Sequence, residues 1–69
     1  MPDTPLSSNI ERWDYDASRK LLTVRFRNGA VYEYEGVPPD VAAEGEEAPS
    51  AGAWLAQSVK GRYEHRRVA

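Results

Sequence analysis

The chain has no cysteine, one histidine and one methionine. Without thiols there is neither a disulfide nor a thiolate zinc site to supplement the core, and His65 alone builds no metal centre unless several carboxylates converge on it. No cofactor and no metal are expected. No apolar run approaches the roughly 18–20 residues of a membrane span, and the opening stretch, MPDTPLSSN, has neither the basic nor the apolar region of a signal peptide. The sequence therefore reads as cytoplasmic, without membrane association. At 69 residues there is room for one domain, whose core yields only about 3–5 kcal/mol of net stability. A monomer is expected.

What is present is alternation. Leu22, Val24 and Phe26 alternate with Leu21, Thr23, Arg25 and Arg27, while Tyr32 and Tyr34 alternate with Val31, Glu33 and Glu35, the period of two of half-buried strands. A two-residue Asn28-Gly29 turn would pair Phe26 with Val31 and Val24 with Glu33, setting a carboxylate beside the apolar row. A three-residue loop, Arg27-Asn28-Gly29, ending in a left-handed Gly29 bulge pairs Phe26 with Ala30, Val24 with Tyr32 and Leu22 with Tyr34. All the bulky side chains then share one face, so this register is expected.

Upstream, residues 1–8 carry two prolines and no periodicity and read as a disordered tail. Asn9 to Tyr15 reads as a strand, with Trp13 and Tyr15 on one face and Arg12 and Asp14 on the other, followed by a polar turn at Asp16 to Lys20. Pairing Tyr15 with Leu22 and Trp13 with Val24 gives a three-stranded antiparallel meander. Downstream, Pro38 ends the third strand and Pro39 opens a short helix to Glu47, with a weak apolar stripe of Val41, Ala42, Gly45 and Ala48. Ser50 caps a second helix, Ala51 to Lys60, which Gly61 terminates. Its buried side is expected to be Ala51, Trp54, Leu55, Ser58 and Val59, with Tyr63 packing back on the core. The fold class is α+β, a meander covered by two short helices, with the domain spanning 9–65 and a C-terminal tail at 66–69.

The net charge of −2 conceals segregation. Arg12 to Arg27 holds five cations against two carboxylates, Glu33 to Glu47 holds six acids and no cation, and Lys60, Arg62, Arg66 and Arg67 outnumber Glu64 at the end. Positive and negative patches on one small surface follow. Arg12 and Arg25 stand directly opposite under the proposed pairing, with Glu33 diagonal to Arg25 as the candidate acid between them. Tyr32 and Tyr34 resemble a base-stacking platform, but in this register they are core residues with hydroxyls at the rim. Pro49 to Gly52 places free N–H groups at a helix start, so Ser50 and Gly52 are candidates for an anion site beside the plainer reading of capping. No paired acids or nucleophile-and-base set survives this reading, so the chain is not expected to be an enzyme.

The ordered set WDYD, LLTVRFRNGAVYEYEGVP, APSAG and VKGRY resembles the KTSC domain family. The family pattern falls on Tyr15 and Asp16, Leu22, Val24 and Phe26, Gly29, Tyr32 and Tyr34, Val37 and Pro38, Ser50 and Gly52, Trp54, Val59 and Lys60, and Tyr63. Such domains occur alone in bacterial and phage proteins and at the C-terminus of some lysyl-tRNA synthetases, so the resemblance suggests RNA as a partner; the charge pattern offers Arg12, Arg25, Arg27, Lys60, Arg62, Arg66 and Arg67 as the basic patch that would hold it. The alternative is a protein partner docked on the acidic helix or a sheet edge. Two positions depart from the family: Gly45 replaces a larger apolar residue, and Leu55 a polar one, often asparagine.

Overall fold

The structure is a computed structural model that describes residues 10–69; the expected tail at 1–8 and the strand's first residue, Asn9, lie outside the described residues. Three strands, β1 (Ile10–Asp16), β2 (Leu21–Phe26) and β3 (Val31–Glu35), form the meander. The register is the expected one: Tyr15 pairs with Leu22, Trp13 with Val24, Val24 with Tyr32 and Leu22 with Tyr34. The hairpin closes through Arg27, Asn28 and Gly29. Phe26 N–H donates to the Ala30 carbonyl at 2.8 Å, Gly29 N–H to the Phe26 carbonyl at 3.0 Å, and Gly29 has φ +96. Asn28 helps, because its Oδ1 accepts from the Ala30 N–H at 3.0 Å. Gly29→Ala is expected to cost about 1 kcal/mol, since a Cβ disfavours this backbone angle; urea denaturation followed by circular dichroism measures it.

Alternation carried back from Trp13 leaves Ile10 on the outer face with Arg12. Instead the pairing slips between Ile10 and Arg12, so that Ile10 opposes Phe26 while Arg12 opposes Arg25. The irregularity at Glu11 reverses the phase of the strand, and Ile10 is buried in the core.

Two helices cover the inner face. Helix α1 (Pro39–Glu47) has Pro39 at its start and buries Ala42 and Gly45. Helix α2 (Ala51–Trp54) is capped by Ser50, whose Oγ accepts from Ala53 N–H at 3.2 Å, and continues as a π-helical turn, Leu55–Val59. The wide turn is closed by Lys60 N–H donating to the Leu55 carbonyl at 2.8 Å. Trp54, Leu55 and Val59 join Leu22, Val24, Tyr34 and Val37 in the core. Tyr15 ties the sheet to the start of α1 by donating its hydroxyl to the Val37 carbonyl at 2.6 Å. Burial, and then the nearby Asp16 and Asp40, hold that hydroxyl above its ordinary range, so it remains a neutral donor.

The sheet has one strand more than the sequence reading foresees. Gly61, at φ +79, turns the chain back after the π-turn, and His65–Arg67 forms β4, antiparallel to β3, at positions assigned above to the domain's end and a tail. A three-residue strand carries too little alternation to be legible alone. It is held by the sheet: Tyr34 pairs with His65, Glu33 with Arg66 and Tyr32 with Arg67. Among the described residues, no helix is long and apolar enough to cross a membrane.

Candidate nucleic-acid interface

Strand β4 creates a site that alternation within β1 to β3 does not contain. Antiparallel partners share a face, so His65 and Arg67 join Tyr34 and Tyr32 on the inner side of the sheet, beyond the edge of the helical cover. There an open cleft of about 400 Å³ runs from the hairpin to the end of the π-turn. Its aromatic lining is Phe26, Tyr32, Tyr34 and His65; Asn28, Ala30, Lys60 and Arg67 complete it. None of these residues is acidic. Two permanent cations in a concave, partly apolar wall favour an anion.

The rings form a continuous floor. Phe26 and Tyr32 stand nearly perpendicular with centroids 5.6 Å apart, and His65, on the neighbouring strand, lies tilted beside both tyrosines, 5.7 Å from Tyr32 and 5.3 Å from Tyr34. Tyr34 is buried, whereas Tyr32 is half-buried and His65 exposed. The expected core role thus holds for Tyr34, while Tyr32 is only partly buried and lines the cleft. Burial, with Tyr32 nearby, raises the Tyr34 hydroxyl above the usual tyrosine range. Asn28 Oδ1 is engaged with the Ala30 N–H, which leaves the side-chain NH₂ as the donor end. Arg67 Nε donates to the Ala69 carbonyl at 2.8 Å, and its Nη groups remain for a ligand.

The other basic residues do not join this group. Arg12 and Arg25 oppose each other on the outer face, and Arg27 is exposed in the hairpin loop. Arg62 Nε donates to the Gln57 carbonyl at 3.2 Å. Glu33, expected to answer Arg25, instead takes Arg66 at 3.3 Å, the sole ion pair among the described residues, because β4 sets Arg66 directly opposite it. The arginine pair is therefore left to repel. Arg25→Glu is expected to raise stability by about 0.2–1 kcal/mol by placing opposite charges across the strands; the midpoint of urea unfolding reads it. At Ser50 and Gly52 the geometry is that of a cap, with the Ser50 hydroxyl engaged and Gly52 buried. Among the described residues no three His, Asp or Glu side chains gather as metal ligands.

Phe26, Asn28 and His65 line one cleft with Tyr32 and Tyr34, a grouping that sequence reasoning does not reach. Gly61 signals the reversal, but it does not indicate which strand the returning chain joins.

Comparison with known proteins agrees with this architecture. The model of the KTSC domain family matches residues 6–63. A crystal structure of a KTSC domain protein from Yersinia pestis superposes with a TM-score of 0.84 at 30% identity, covering 90% of this chain and 87% of that one. An uncharacterised protein of Stutzerimonas stutzeri is 39% identical over 57 residues, 83% of this chain and 80% of that protein. A lysine–tRNA ligase of Nostoc punctiforme is 34% identical over 65 residues, 94% of this chain. The chain spans only 12% of that ligase.

Proposed function

We propose that this chain, which belongs to the KTSC domain family, is a small non-catalytic domain that binds single-stranded RNA in the cytoplasm. The observation that carries the reading is the cleft itself, where Lys60 and Arg67 flank a floor of aromatic rings with no carboxylate among its lining. Single-stranded nucleic acid is held by this combination: cations follow the phosphates, and rings stack the bases at about 1–3 kcal/mol each. A related segment within a lysine–tRNA ligase is consistent with an RNA partner. Arg27, exposed at the hairpin loop beside the cleft, extends the path for the backbone.

Titration of labelled single-stranded RNA by fluorescence anisotropy tests the reading. Each phosphate contact on a single strand contributes about 0.7 to the salt slope, so about three or four contacts give log affinity against log salt a slope of roughly −2 to −3. Absence of binding up to high micromolar protein at low salt would remove RNA as the ligand. A protein partner is the second reading, favoured by the edge of β1 opposite β2, where no strand pairs among the described residues, and by the exposed acids Glu44, Glu46 and Glu47 on α1. It would leave RNA affinity absent.

A further inference from the structure

We infer that the cleft takes a single nucleotide unit, with its phosphate held by Lys60 and Arg67 and its base laid on the aromatic surface that His65 and Tyr32 present. The inference rests on the RNA reading and narrows it to one nucleotide at one place. Size limits the occupant. A volume of about 400 Å³ lies near the lower end of the roughly 300–1,000 Å³ typical of small-molecule sites, too small for several stacked nucleotides. The distribution of chemistry in the cleft points the same way. The Tyr34 ring is buried, Phe26 and Tyr32 are half-buried and stand at 89° to each other, and His65 is exposed, so the accessible aromatic surface is centred on His65, with Tyr32 5.7 Å away. These two rings are tilted by 42°, and a flat heterocycle lies on one of them rather than slotting between parallel plates.

The polar groups are divided in the same way. Lys60 offers three N–H donors on the helix side, and Arg67 offers its Nη groups on the strand side, its Nε being engaged with Ala69. Both suit an oxyanion. Asn28, anchored through Oδ1, presents its NH₂ end from the hairpin, a donor suited to a carbonyl oxygen or ring nitrogen of a base. A free nucleotide and a terminal or looped-out nucleotide of a strand offer the same chemistry, and the test must separate them.

The experiment uses the whole chain, isotopically labelled, with amide chemical shifts followed during titration by adenosine monophosphate, cytidine monophosphate, adenosine and inorganic phosphate, and with anisotropy competition against labelled RNA. The expected result is that a mononucleotide shifts the amides of Asn28, Tyr32, Lys60 and His65, binds at least about tenfold tighter than adenosine or phosphate alone, and displaces the RNA. Lys60→Gln and Arg67→Gln, both at exposed positions, should each weaken it about fivefold or more with the amide spectrum otherwise intact. Equal affinity for mononucleotide and inorganic phosphate reduces the cleft to an anion site and overturns the inference. RNA binding that no mononucleotide competes with overturns it too, while leaving the RNA reading in place. Mononucleotide binding without RNA binding supports the pocket and removes the strand; binding of neither overturns both.

Discussion

Trp54→Ala is expected to cost about 3–5 kcal/mol, close to all the stability a domain of this size has, so the variant should be largely unfolded at room temperature. Trp54 is only 5% exposed. Its indole packs 4.8 Å from Trp13 on the sheet, and its Nε1 donates to the Val41 carbonyl of α1 at 3.0 Å. It also fills the space over Gly45, where the Cβ of any other residue would lie 2.5 Å from Cε2 and Cζ2. One side chain therefore joins sheet, first helix and second helix. Gly45→Ala alone should cost about 1–3 kcal/mol by overpacking, and less once Trp54→Phe has shortened the ring system, since neighbours in contact are coupled. Urea unfolding of the four members of this cycle measures the coupling. Independent, additive effects, or a Trp54→Ala variant within about 1 kcal/mol of the parent, would show that the indole does not occupy that space.

The second large effect is expected in binding. Reversing Lys60→Glu together with Arg67→Glu should lower RNA affinity about 100-fold or more, because charge-assisted hydrogen bonds contribute about 1.5–3 kcal/mol each and the reversal replaces attraction by repulsion. The salt slope should flatten by roughly 0.7, the share of the one phosphate that these two residues hold. Neither residue is buried, so circular dichroism should remain that of the parent. Arg12→Gln with Arg25→Gln is the matched control. These arginines occupy the opposite face of the sheet from the cleft, and screening over roughly 8 Å at physiological salt should leave affinity within about threefold. If the outer pair matters as much as the cleft pair, the strand crosses the sheet on the outer side and the cleft is not its site.

The departure at Leu55 has a physical basis in the fold. The position that carries a polar residue in the resembled pattern is here 3% exposed and part of the core, at the first residue of the π-turn. A π-turn fits one more residue into a helical turn, and here Trp54, Leu55 and Val59 all reach the core while Lys60 is delivered to the cleft. A polar side chain at Leu55 would need a buried partner.

The hairpin and its neighbours were legible because their determinants are local. A carboxylate beside an apolar row excludes one register, Gly29 supplies the positive φ of the other, Pro39 and Ser50 mark helix starts, and a strand period of two then places Trp13, Tyr15, Leu22, Val24 and Tyr34. The room that Gly45 leaves, where the resembled family carries a larger apolar residue, is taken by the Trp54 indole. Three features arise only from tertiary contact. The slip at Glu11 buries Ile10 against the alternation of its own strand, because apolar contact with the core outweighs regular pairing at a sheet edge. The segment His65–Arg67 becomes a strand because β3 has an unpaired edge within reach of a chain turned back at Gly61. The cleft follows from that pairing, which sets His65 beside Tyr32 and Tyr34, opposes Arg66 to Glu33, and brings Arg67 to the same hollow as Lys60. Sequence neighbours decide strand period and turn type; which cations share a surface depends on edges that exist only once the sheet has formed.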